Sequence, residues 1–250
     1  MNEAVLPDRW LGGNLLLCQP ACGHRAGTDA VLLAAAVADL SGKLVDAGSG
    51  VGPVGLAMAL RGHDMQVALV ESDPGTAEMA RQNIDLNGFS ARMRVHETDV
   101  MDAASRRAAG LVDGWADIVM TNPPYYQAGQ VRASPHAGQA AAHVLAQGDL
   151  LRWIAACLAL LRPGGTFAMI HRPAALNEIL DACARRLGAI VILPIHPHDG
   201  AMAGRIIVKG RKGSRAGLAI LPGLVLHRRD GRFTESVEAM HRGQGLIAGF

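Results

Sequence analysis

The apolar run Ala116 to Met120 leads into Thr121, Asn122, Pro123, Pro124, Tyr125 and Tyr126. Asn122 precedes a proline, so its backbone is pushed toward extended geometry. Pro123 and Pro124 fix φ and remove two N–H donors, leaving only carbonyls. The outcome is a stiff pair of acceptors, the Asn122 side-chain oxygen and the Pro123 carbonyl. Two acceptors facing one way suit a planar NH₂ group, which has two hydrogens to give. Holding both hydrogens while the nitrogen turns its lone pair toward an electrophile favours tetrahedral geometry and stabilises the positive charge growing on nitrogen. No strong base is needed, because the amine sheds its proton afterwards. Tyr125 offers a flat face beside these acceptors; stacking a base on such a ring is worth roughly 1–3 kcal/mol, against the few kcal/mol needed to unstack a target base. Tyr126 reads as a cover over the sheet end.

A second cluster lies upstream. In Val45-Asp46-Ala47-Gly48-Ser49-Gly50-Val51-Gly52-Pro53-Val54-Gly55 the glycines fall where a strand turns into a helix, so a ligand can approach the backbone and the positive helix end. Gly50, Gly52 and Gly55 satisfy G-x-G-x-x-G, a weak pattern alone, and Glu71 about 20 residues on suits a ribose, so a dinucleotide enzyme is a competing reading. Asp46 inside the turn argues for S-adenosylmethionine instead, since an acid there repels a pyrophosphate and attracts an ammonium. Asp99, after a third strand, is placed to accept from an adenine amino group. The Asn-Pro-Pro-Tyr element has no role in hydride transfer.

Positioning these residues takes an alternation of short apolar runs and helix-length segments, the signature of an α/β fold. Strands are expected at Lys43–Gly48, Gln66–Ser72, Ala91–Val100, Ala116–Asn122, Gly165–His171, Ala189–Ile195 and Arg205–Gly210. Between them fall helices at Pro53–Gly62, Asp73–Gly88 with Asp73 as cap and Pro74 behind it, about 149–161 and about 174–187. A further helix enters through Thr28 or Asp29. Residues 1–27 read as an N-terminal appendage to a domain spanning 28–250, and the tail from Leu218 to Glu235 as an added hairpin. Gln127 to about Gly148 has no clear periodicity, the habit of a lid or binding loop.

The pairing of D-x-G-x-G with Asn-Pro-Pro-Tyr resembles class I S-adenosylmethionine-dependent methyltransferases of the amino-methylating branch. The stretch Gly27-Thr28-Asp29-Ala30-Val31-Leu32-Leu33, the Asn-Pro-Pro-Tyr-Tyr element and the tail Leu224 to Glu235 resemble bacterial tRNA(Val) adenine-N6 methyltransferases, over most of the chain from about residue 11. Some members of that group carry only the label of predicted O-methyltransferase. The resemblance implies a Rossmann-like, seven-stranded, mostly parallel sheet with the last strand antiparallel and helices on both faces. It implies that Asp46, Gly48, Gly50, Glu71, Asp99 and Asn122 hold S-adenosylmethionine, with Thr28 and Asp29 near its methionine end. It makes Asn122, Pro123, Pro124 and Tyr125 the catalytic element.

Composition bounds the rest. Half of the 250 residues are apolar and 18% charged, as in a compact globular chain. No apolar run approaches the roughly 18 residues of a membrane span, and a cytoplasmic location is expected. Cys18, Cys22, Cys157 and Cys183 are too scattered for a disulfide scaffold, and Cys18 and Cys22 with His24 lack a second ligand pair, so no metal is expected. His171, His196 and His198 read as ordinary strand-end residues. The net charge of +2 is neutral on partners, but two basic clusters, Arg205 to Arg215 and Arg228 to Arg232, fit RNA, and tRNA is the expected partner. The competing acceptors are a glutamine side chain of a protein, whose enzymes usually carry a longer N-terminal docking domain, and a small-molecule hydroxyl, which has one proton to donate and usually wants a base or metal.

Overall fold

A computed structural model of the chain describes residues 7–20, 25–124 and 149–250. The order of elements is β1 (Asp8–Trp10), β2 (Leu15–Leu17), α1 (Thr28–Ala35), β3 (Lys43–Ala47), α2 (Pro53–Arg61), β4 (Gln66–Glu71), α3 (Pro74–Leu86), β5 (Met93–Glu97), α4 (Ala103–Ala108) and β6 (Ala116–Thr121). It continues with α5 (Asp149–Leu160), β7 (Leu161–His171), α6 (Leu176–Cys183), β8 (Leu187–His198), β9 (Arg205–Lys212), β10 (Ala219–Ile220), β11 (Leu224–His227) and α7 (Glu235–His241).

One large sheet organises the molecule, in the order β10-β8-β9-β7-β6-β3-β4-β5, with β11 also paired to β8. β9 is antiparallel to both β7 and β8, and the other pairs are parallel, so every strand of this sheet but β9 points the same way. The expected seven strands form its body; β10 and β11 extend it to nine. Central strands must shed polar residues on both faces, and Leu44, Val45, Ala47, Ile118, Val119 and Met120 are all buried. Helices α1, α2 and α3 bury one face of the sheet, and α5 and α6 the other.

The helix starts follow local chemistry. Asp73 caps α3 by accepting from Thr76 N at 2.7 Å, with Pro74 in the first turn, as expected. Asp102 caps α4 by accepting from Ala104 N and Ser105 N, a six-residue helix too short to leave a period in the sequence. Neither Thr28 nor Asp29 caps α1: the cap is Gly27, without a side-chain bond. Asp29 instead forms an ion pair with Arg205 at 2.9 Å.

The β1–β2 hairpin is bound into the same core. Leu15 and Leu17 of the β1–β2 hairpin are fully buried. Two amides, Asn83 of α3 and Asn87 at its C-cap, grip residues 16–18 as a neighbouring strand would. Asn87 accepts from Leu16 N and donates to Leu16 O; Asn83 accepts from Cys18 N at 2.7 Å and donates to Cys18 O and Val51 O.

The tail differs from the expected hairpin. β10 pairs with Val191–Ile192 and β11 with Ile195–His198, both parallel to β8. Residues 219–227 are thus a strap along the outer side of β8, interrupted at Pro222-Gly223. Only the bridge between His227 and Phe233 has hairpin geometry, across the turn 228–232, and α7 follows it.

Candidate cofactor and acceptor site

The strand order reverses beside β3, whose neighbours are β4 on one side and β6 on the other. Ligands of open α/β sheets bind at the carboxyl ends of strands at such a point. Ala47 is paired with Thr121 across β3 and β6, so the following residues, Gly48 and Asn122, leave the sheet side by side. On the other flank Glu71 ends β4 opposite Glu97 of β5, and Asp99 follows two residues on. Asp99, Glu71, the glycine turn and Asn122 therefore form one row across four adjacent strand tips.

Each member has a definite environment. Asp46 is 1% exposed and accepts from Gly55 N at 2.9 Å. Burial pushes its carboxyl up to about 7; the Gly55 N–H works against this and the charge of Glu71 adds to it. Glu71 accepts from Gly50 N at 3.0 Å and, through its other oxygen, from Ser72 N and Asp73 N at 2.8 Å each. Asp99 is exposed and steadied by Met101 N at 2.8 Å. Asn122 and Pro124 are half-buried and Pro123 is buried. Tyr125, Cys22, His24 and the 127–148 segment lie outside the described residues.

Gly48 and Gly50 have φ of 67° and 56°, a left-handed region that side chains rarely adopt. A methyl at Gly50 would meet nothing within 4 Å, so the turn faces open space there. At Gly48 a methyl would come within 2.7 Å of the Trp153 ring. That indole, on α5, donates from Nε1 to Thr121 Oγ1 at 2.9 Å, and Thr121 Oγ1 donates to Ala47 O at 2.8 Å. Trp153 therefore backs the glycine turn and holds the residue before Asn122. Sequence reading missed it: its only signal is a tryptophan in an aliphatic helix, 32 residues from its partner.

Other expectations resolve differently. Arg205, Arg211 and Lys212 do not make one basic patch: they run along β9 from one edge of the sheet to the other. Lys212 donates to Leu158 O and Leu161 O at 2.5 and 2.6 Å, and Arg211 to Gly164 O. His171 ends β7, and burial pushes its imidazole down to about 4; it is neutral at physiological pH. His196 meets Ala201 O at 2.7 Å through Nδ1. Among the described residues no group of three or more His, Cys, Asp or Glu could hold a metal ion, and no helix is long and apolar enough to cross a membrane.

This topology and edge define a class I S-adenosylmethionine-dependent methyltransferase, and the residues present fit that cofactor: an open glycine backbone, a buried acid beneath it and carboxylates continuing along the same edge. Comparison with known proteins agrees. The family model "Methyltransferase small domain" matches residues 25–181, and the chain belongs to that family. It is 31% identical over 219 residues to the tRNA1(Val) (adenine(37)-N6)-methyltransferase of Aeromonas hydrophila, covering 86% of this chain and 87% of that one. The enzyme of the same name from Cronobacter sakazakii is 32% identical over 170 residues, covering 67% and 66%. Among solved structures, a predicted O-methyltransferase of Agrobacterium tumefaciens superposes with a TM-score of 0.74 at 35% identity, over 88% of this chain and 98% of that one.

Proposed function

We propose that this methyltransferase acts on the exocyclic amine of an adenine in tRNA. The observation that carries the reading is the position of Asn122-Pro123-Pro124: directly after β6, next to Gly48, at the end of the acidic row. In this reading Asp99 accepts from the cofactor's adenine, Glu71 from its ribose, and the Gly48–Gly50 turn with Asp46 receives its methionine end near Thr28 and Asp29. Bound there, S-adenosylmethionine supplies an electrophilic methyl group. The Asn122 side-chain oxygen and the Pro123 carbonyl accept the two amine hydrogens, raise nitrogen nucleophilicity and stabilise the charge that develops. Tyr125 stacks on the extruded base. The names of the Aeromonas and Cronobacter relatives support adenine in tRNA as the acceptor, which would place the enzyme in the cytoplasm.

A hydroxyl acceptor finds support in the name of the Agrobacterium neighbour, but an acceptor with one proton leaves one of the two oxygens unused. The test is transfer of labelled methyl to unfractionated tRNA, followed by mass spectrometry of the nucleosides. Wild type is expected to yield N6-methyladenosine, and Asn122→Ala to lose about 10²- to 10³-fold in kcat while still binding S-adenosylhomocysteine. Equal activity of the two proteins would refute the mechanism.

A further inference from the structure

The formal charge of +2 conceals an uneven carboxyl edge. On the β4 and β5 side of Asn122 stand Glu71, Asp73, Asp99 and Asp102. On the other side Arg172 follows β7, Arg205 opens β9 already paired with Asp29, Asp199 follows β8, and Arg228, Arg229 and Arg232 follow β11. Because β11 is parallel to β8, the turn 228–232 emerges at the same edge as the glycine turn.

That turn is stiff. Arg228 N donates to Arg232 O at 2.8 Å and Gly231 N to Arg228 O at 3.0 Å, with Gly231 at a φ of 80°. Asp230 accepts from Arg232 N at 3.0 Å, which turns its carboxylate onto the turn's own backbone. Beneath lies a pile of rings: His227 on Phe233 at 4.7 Å between centroids, and Phe233 on His241 at 4.5 Å. Thr234 ties the exit strand to Leu226 O and Val225 O at 2.9 Å. Arg229 and Arg232 are exposed, and Arg228 meets the loose, solvent-facing Glu235 at 3.5 Å.

We propose that the Arg228–Arg232 turn is a clamp for the sugar-phosphate backbone of the RNA acceptor. The inference rests on RNA being that acceptor. Guanidinium forks match phosphate oxygens bidentately, and a turn already held in shape loses little freedom on binding. From β6 to β11 is four strand spacings, on the order of 20 Å. The turn therefore grips backbone flanking the target base rather than the target nucleotide itself, while the acidic tips repel phosphate from the cofactor end.

The test compares Arg229→Ala/Arg232→Ala with a control of equal charge change on exposed arginines at the opposite edge of the sheet, Arg107→Ala/Arg186→Ala. Binding of unfractionated tRNA is measured between about 50 and 200 mM salt, where each phosphate contact on a single strand contributes about 0.7 to the slope of log K against log salt. The turn variant is expected to lower the slope by about 1.4 and raise the KM for tRNA. Its affinity for S-adenosylhomocysteine and its Tm should stay at wild-type values, and the control should keep the wild-type slope. If wild type methylates tRNA and the turn variant keeps slope and KM, the clamp is refuted and the adenine reading stands. If wild type neither binds nor methylates tRNA, both fail.

Discussion

Asp46 is held in two incompatible roles. Its burial favours the protonated form, and the ammonium of the proposed ligand would favour the charged one. With a folded pKa of about 7 against an ordinary 3.8, the native state keeps a proton that the unfolded chain releases between those values. The contribution of Asp46 to stability is therefore greatest below about pH 4, falls as pH rises toward 7 and levels off beyond it. Asp46→Asn keeps an acceptor for Gly55 N and removes the titration. Its Tm advantage over wild type should grow from about pH 4 to 7, as thermal unfolding at several pH values would show. The ligand's ammonium draws the carboxyl toward ionisation, so S-adenosylhomocysteine should bind wild type more tightly as pH rises through 7, and the asparagine variant more weakly with little pH dependence. Calorimetric titration across that range decides this. At this scale the sequence was readable: Asp46, Glu71, Asp99 and Asn122 do come to one edge, because an acid or amide at a strand end states its own chemistry.

Elements bring in what spacing cannot show. Trp153 meets Thr121 only because α5 packs across β6, and no local pattern links the two. Thr121→Val would leave the Trp153 N–H without its acceptor, at about 1–3 kcal/mol, and would remove the side-chain bond to Ala47 O. Trp153→Phe leaves the threonine its bond to Ala47 and should cost about 1 kcal/mol. If Trp153 positions the catalytic tip, its phenylalanine variant also lowers kcat while the KM for tRNA holds; a purely structural role would change Tm alone. The α3 amides form a similar hidden contact. Asn83 is fully buried and serves three backbone groups, Cys18 N, Cys18 O and Val51 O. Asn83→Ala should lower stability by at least about 1–3 kcal/mol, and Asn87→Ala by less, since its surroundings are partly exposed; denaturant titration measures both. The main strands and the long helices were legible because burial on two faces writes continuous apolar runs. The short α4, α7 and the parallel strap were not: two to seven residues carry no period, and the apolar Leu218–His227 stretch fits a hairpin as well as a strap.

For the molecule as a whole, strand order gathers carboxylates at one end of a single edge and sets the Arg228–Arg232 turn at the other. That order is not written in any segment; it follows from the crossovers, which put β4 and β5 on one side of β3 and the remaining strands on the other. The tail completes the same sheet. β8 is twelve residues long, and its outer ladder would be an open template for other chains were residues 219–227 not laid along it. The strap's close seat depends on Gly223, where a methyl would come within 2.3 Å of His196 Nε2. Gly223→Val should lift the strap, bare the β8 ladder and make warm solutions scatter light well below the wild-type unfolding temperature. The last strands thus serve solubility as well as substrate grip: the peptide that presents the arginines also keeps one copy from zipping onto the next.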